Sequence, residues 1–204
     1  MSHLVLVSGP SGVGKRTVLQ RVFAGSGLPL VMSVSVTTRK PRPGEIDGKD
    51  YHFLSLAEFE SKRLNGEFLE YFEVFGAGTW YGTLKKTVED SLACGHWVVL
   101  EIDVMGAKKV KEQFPEAMTF FIEPKSMDVL KERLRKRGTE SEEAMQRRLE
   151  TALEELQHAD EYEHRIINDD LDVAVHEFIA ILRAAQKGEL SHISDCSKRV
   201  WHAC

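Results

Sequence analysis

Short apolar runs alternate with longer amphipathic stretches along most of the chain. Leu4–Val7, Val31–Val36, Trp97–Ile102, Met118–Ile122 and Arg165–Ile167 are short and rich in β-branched residues, and predict core strands covered on both faces. Between them, apolar residues recur at helical spacing. Met127, Leu130 and Leu134 trace one face, Met145, Leu149, Leu153 and Leu156 a second, and Val175, Phe178 and Leu182 a third. Ser55 three residues before Glu58, and Thr139 three before Glu142, fit the capping box that satisfies the free amides at a helix start. A last helix is predicted over Leu171–Gln186, stopped by Gly188. Strands alternating with helices imply an α/β fold around a parallel five-stranded sheet.

Two stretches break this rhythm. From Thr37 to Tyr51 prolines, glycines and charges crowd together, too polar for a core element, and a loop of this length inside a compact domain is usually functional. From Phe68 to Phe75 the residues alternate loosely, with Glu70 and Glu73 among aromatics, which predicts strands of a small subdomain covering a ligand. The insert is placed at about 36–86. After Gly188 the apolar period disappears, and 187–204 reads as a C-terminal tail, in which Trp201 is an unusual residue to leave in solvent.

The chain has 204 residues, 42% of them apolar, enough for one domain with a proper core. Its 27 Lys and Arg against 32 Asp and Glu give a net charge of −5, which argues against coating nucleic acid or an anionic membrane by bulk charge. Any anion site must therefore be local. No apolar run approaches the ~20 residues that cross a bilayer, and the start has no signal-peptide pattern, so a cytoplasmic protein is expected. Cys94, Cys196 and Cys204 have neither disulfide-framework nor metal-ligand spacing, and Cys94, beside Gly95, reads as a packing residue. None of the histidines has ligand spacing or a nucleophile beside it in sequence.

Gly9, Pro10, Ser11, Gly12, Val13, Gly14 and Lys15 follow a predicted strand and open a predicted helix, the context of a phosphate-binding P-loop. Glycines let backbone amides converge on a phosphate, Lys15 adds a full charge, and the helix start adds its dipole. ATP is the natural guest. Where such loops usually carry the Ser or Thr that ligates Mg²⁺, Arg16 stands, followed by Thr17, so Mg²⁺ is expected to be held mainly by phosphates and water.

The acceptor must be read from the insert. Val34 to Gly44, with Ser35, Arg39 and Arg42, then Gly48 to Tyr51, closely resembles the guanylate kinase family. The resemblance continues through Gly66 to Glu70, Tyr81 to Thr83, Leu100 to Asp103, Arg137 to Glu140, Arg148 with Leu149, and Asn168 to Leu171, covering about 4–185. It implies a kinase of ATP and GMP with Mg²⁺, in purine nucleotide metabolism. Arg39 and Arg42 would grip the GMP phosphate, helped by the hydroxyls of Tyr51 and Tyr81. Guanine presents N1–H and N2–H₂ donors beside the O6 acceptor, matching a carboxylate at Glu70 and hydroxyls at Ser35 and Thr83. The resemblance also brings Asp103 to the nucleotide site, at the end of an apolar strand. Each of these residues has a plainer reading: solvated loop charges for Arg39 and Arg42, an ion pair for Glu70, amphipathic core positions for the tyrosines.

Lys131 to Arg137 reads by default as a solvated helix face, and Arg133 in part as that. Arg137 differs because Gly138 and Thr139 follow it, at a break the family uses as a lid, placed here at about 137–148. Together with Lys15 and Arg39, Arg137 and Arg148 are the expected catalytic cations, neutralising charge on the moving phosphoryl group where water has been expelled. Two other readings stand beside this one. A related kinase could take another phosphorylated acceptor, such as a ribose bisphosphate, or the fold could serve as a peptide-binding scaffold that has lost its phosphate-binding residues. Glu70 with Ser35 and Thr83 speaks against the first, and the retained Lys15, Arg39, Arg42, Arg137 and Arg148 against the second.

Overall fold

The computed structural model describes residues 3–74, 78–136 and 142–188. In chain order the elements are β1 (His3–Ser8), α1 (Lys15–Gly25), β2 (Leu30–Met32), β3 (Val36–Thr37), β4 (His52–Phe53), α2 (Leu56–Leu64), β5 (Phe68–Val74), β6 (Thr79–Leu84), α3 (Lys85–Ala93), β7 (Trp97–Glu101), α4 (Val104–Gln113), β8 (Met118–Glu123), α5 (Met127–Lys136), α6 (Glu142–Leu156), β9 (His164–Ile167) and α7 (Leu171–Lys187). One sheet has five strands in the order β2-β7-β1-β8-β9, with β2–β7 and β8–β9 running parallel; the other has four, ordered β4-β3-β6-β5. All six residues of β8 are buried, as are Leu4 to Ser8 of β1, which is why these strands read as unbroken apolar runs.

Packing groups the chain into two units. The first contains Val7–Leu28 and the chain from Thr119 onward. Its core stacks Phe120 of β8 on Phe178 of α7, ring centroids 4.0 Å apart. Asp170 caps α7 by accepting from the amides of Asp172 and Val173, and Gly188 ends the helix in the left-handed conformation. The second unit contains Pro29–Met118 with the start of β1. Phe59, Phe68, Tyr71 and Trp80 form the apolar cluster under its four-stranded sheet. The capping box of α2 forms as predicted: Ser55 accepts from the Glu58 amide, and Glu58 accepts from the Ser55 amide at 2.8 Å.

Four expectations change. Val31–Val36 is not one strand: β2 ends at Met32 in the larger sheet and β3 begins at Val36 in the smaller one, because Ser33, Val34 and Ser35 carry the chain from one sheet to the other. Leu153 is 48% exposed, and the α6 face is buried through Leu149 and Ala152 instead. Cys94 is exposed at the end of α3 rather than packed. Asp103 does not end a strand: β7 stops at Glu101, and Asp103 caps α4. The pairing of Thr139 with Glu142, the tail beyond Gly188, and Cys196, Trp201 and Cys204 lie outside the described residues or rest on them.

Candidate active site

In the first unit, β1 runs straight into the glycine-rich loop and α1 begins at Lys15. Gly9, Gly12 and Gly14 all have positive φ, of 144°, 89° and 100°. At Gly9 a Cβ would stand 2.1 Å from the Ile122 carbonyl oxygen, so a side chain there cannot coexist with the sheet. Gly14 occupies the N-cap without a side-chain cap, and the first turn of α1 has no acidic residue, so the helix start is left as an anion site. The Lys15 ammonium folds back to donate to the Gly9 carbonyl at 2.5 Å and reaches Pro10 at 3.4 Å. Arg16 and Thr17 are exposed on the first turn.

Sequence reasoning missed what holds this loop. The Val13 carbonyl accepts from Asn168 Nδ2 at 2.8 Å and from Arg133 Nη1 at 3.0 Å, while Arg133 Nη2 donates to the Asn168 carbonyl at 2.8 Å. Arg133 is therefore a strut of the loop, not merely part of a solvated face. Both lone pairs of the Val13 carbonyl are thereby engaged, which fixes the peptide between Val13 and Gly14. Arg148 is half-buried on α6, and Arg137 lies outside the described residues.

In the second unit, β5 and β6 pair antiparallel, Glu70 opposite Thr83 and Phe72 opposite Tyr81. The register shifts between Phe68 and Glu70, a bulge that buries Phe68, Leu69 and Glu70 in succession. Gly82 permits it, since a Cβ there would come within 2.9 Å of the Glu70 carbonyl oxygen and of the Phe68 ring. Glu70 is only 3% exposed. Its Oε1 accepts from the Thr83 hydroxyl at 2.6 Å, and its buried Oε2 has no hydrogen-bond partner among the described residues. Burial, reinforced by the charge of Asp103, pushes the Glu70 carboxyl up to about 7 against the opposing pull of the Thr83 hydrogen bond and Lys109. Asp103 Oδ1 accepts from the Gly106 amide at 2.7 Å. A Cβ on Gly106 would stand 3.2 Å from Glu70 Oε2, so this glycine leaves room for the carboxylate.

Tyr81 lies two residues before Thr83 on the same face of β6, roughly 7 Å away along the strand. Its hydroxyl accepts from Arg39 Nε at 2.9 Å, and the Arg39 guanidinium lies over the Tyr51 ring, 4.9 Å from its centroid. Glu45, which the sequence reading passed over as one charge among many, takes the other edge of Arg39: Nη1 donates to Oε2 at 2.6 Å and Nη2 to Oε1 at 2.7 Å. The Arg42 amide donates to the same carboxylate at 2.8 Å. These bonds, Arg39 first, hold the Glu45 carboxyl down to about 2. Arg42 itself is exposed. Ser35 is half-buried, its carbonyl accepting from the His52 amide at 2.9 Å. The structure thus brings Arg39, Tyr51 and Tyr81 together, and separately Glu70, Thr83 and Asp103.

Compared with known proteins, residues 1–185 match the family model described as Guanylate kinase. The chain belongs to the guanylate kinase family. It is 48% identical over 197 residues to the guanylate kinase of Rhodopirellula baltica, covering 96% of this chain and 92% of that one. With the guanylate kinase of Gloeobacter violaceus it shares 53% over 175 residues, 86% of this chain and 84% of the relative. The crystal structure of guanylate kinase from Anaplasma phagocytophilum superposes with a TM-score of 0.70 at 36% identity, over 91% of this chain and 86% of that one. Membership in this family accounts for the P-loop and the small sheet as parts of one kinase fold, and no helix among the described residues is long and apolar enough to cross a membrane.

Proposed function

We propose that the protein transfers the γ-phosphoryl group of ATP to GMP, giving ADP and GDP. The observation that carries the assignment of its acceptor site is the buried Oε2 of Glu70, which has no hydrogen-bond partner among the described residues. An orphaned buried carboxylate oxygen is costly, and a ligand that donates to it recovers that cost. Guanine offers two adjacent N–H groups to the two carboxylate oxygens, whereas adenine places an acceptor at N1 and a bare sugar phosphate has no such edge. In this reading the Thr83 hydroxyl donates its one hydrogen bond to Glu70 and orients the carboxylate, so it is not available to O6 as the sequence suggested; Ser35 is the hydroxyl for O6, and Asp103 lies beside the base. Arg39, Arg42, Tyr51 and Tyr81 take the GMP phosphate.

ATP lies on the loop from Gly9 to Thr17, its phosphates on the amides of the helix start and on Lys15. Bound together with ATP, Mg²⁺ would supply positive charge to offset that of the phosphates. Arg16, standing where such loops carry the Ser or Thr that ligates the ion, has no acceptor to offer, so phosphate oxygens and water would supply most of the ligands of Mg²⁺. A GMP phosphate oxygen attacks the γ-phosphorus as the bond to the β–γ bridging oxygen breaks, and no bond to the protein forms. Arg137 and Arg148, from a lid at about 137–148, complete the charge compensation and exclude water. The 1–186 stretch acts as the catalytic domain, in the cytoplasm where both nucleotides are available. Steady-state kinetics of Glu70→Ala test this: the GMP Michaelis constant should rise at least tenfold with that of ATP little changed. Unchanged GMP parameters would overturn the assignment.

A further inference from the structure

The donors of Arg39 are nearly all spent within the protein. Of its five N–H groups, Nε serves the Tyr81 hydroxyl, Nη1 serves Glu45 Oε2 and the Lys40 carbonyl at 3.1 Å, and one on Nη2 serves Glu45 Oε1. Among the described residues these contacts leave one N–H on Nη2, and the Tyr51 side chain is a further hydrogen-bonding neighbour of the guanidinium. A guanidinium in that state cannot offer a phosphate the two parallel bonds of a bidentate fork. Arg42 is placed differently. Its backbone amide is tied to Glu45, which fixes where the residue leaves the loop, while its exposed guanidinium makes no side-chain hydrogen bond among the described residues. The side chains of Arg39 and Glu45 are only 14% and 19% exposed, so the pair is more than a passing surface contact.

We propose that Glu45 is a positioning residue of the acceptor-phosphate site, locking Arg39 as a single-donor post and presenting Arg42 as the bidentate fork. One carboxylate thereby sets the geometry of both arginines, through the side chain of one and the backbone of the other. The inference rests on reading Arg39 and Arg42 as the phosphate-binding pair, and it divides the work between them unequally. Arg42 carries the geometric specificity for the dianion, and Arg39 carries charge from a fixed point over the Tyr51 ring.

The test compares GMP with guanosine, which shares the base and lacks the phosphate. Inhibition constants for guanosine and Michaelis constants for GMP and ATP are measured for wild type, Glu45→Gln and Glu45→Ala, each confirmed as folded by its melting temperature. Loss of Glu45 should cut the preference for GMP over guanosine about tenfold while guanosine inhibition and the ATP constant hold. In an Arg39→Lys background the effect of Glu45→Gln on that preference should shrink, since part of it acts through Arg39. A preference that stays constant would make Glu45 a bystander. A preference that increases would make Glu45 a competitor of the phosphate, and either result overturns the proposal. A wild-type enzyme that binds guanosine as tightly as GMP would instead overturn the phosphate site itself.

Discussion

Replacing Glu70 with glutamine should stabilise the fold at alkaline pH while removing most GMP use. The carboxyl sits at about 7 rather than its ordinary 4.5, chiefly because burial disfavours the charged form. At pH 8, where the group must ionise in either state, that displacement costs the folded chain roughly 3 kcal/mol. The sign follows from a folded value raised above the unfolded one: the stabilising contribution is whole below 4.5 and is lost as pH rises through 7. Glutamine has no such dependence. Urea unfolding of both proteins should therefore show a gap that widens in favour of Glu70→Gln by roughly 3 kcal/mol between pH 4.5 and 8. The amide also replaces one acceptor with an NH₂ donor facing guanine's own donors, so GMP use should fall by about 2–3 kcal/mol, on the order of a hundredfold in kcat/KM. Guanosine, having no phosphate to titrate, should inhibit wild type more weakly as pH drops below 7 and inhibit the variant with no such trend. A stability gap independent of pH, or a variant less stable at pH 8, would refute the reasoning.

Other substitutions probe the rest of the site. Arg42→Lys keeps the charge but loses the fork, and should raise the GMP Michaelis constant at least tenfold; near-normal kinetics would leave Arg42 a surface charge. Gly9→Ala puts a Cβ 2.1 Å from the Ile122 carbonyl oxygen and should abolish nucleotide binding, measured by calorimetry with ATP. Thr17→Val should impair ATP use more than Arg16→Ala does, because the hydroxyl can reach a phosphate and arginine cannot ligate Mg²⁺; the reverse order in ATP Michaelis constants would assign the phosphate to Arg16.

The parallel core was legible because strands covered on both faces must be apolar throughout, as Leu4–Val7 and Met118–Ile122 are. The phosphate loop was legible because glycines with left-handed backbone and a lysine leave few other folds open. Illegible features were those settled by pairing at long range. The bulge at Leu69 that turns Glu70 inward depends on Gly82, a residue of another strand. Arg133 looked like an ordinary charge because nothing near it marks a base that will meet the Val13 carbonyl; Glu45 lies only six residues from Arg39 and was hidden instead by the many charges of an irregular loop, whose turns no helical or strand period reveals. The split of Val31–Val36 escaped notice because three adjacent residues can cross between sheets without a proline or glycine to mark the turn.

The central claim is direct transfer from ATP to a guanine nucleotide chosen by its base. Incubating the enzyme with Mg²⁺ and ATP labelled at the γ-phosphorus, in parallel with GMP, AMP or a ribose bisphosphate, tests it in one measurement. The label should appear in GDP, with AMP and the ribose bisphosphate slower by at least a hundredfold and none retained on the protein after acid quench. Equal labelling of AMP, preferential labelling of the sugar, or a stable phosphoprotein would contradict the account.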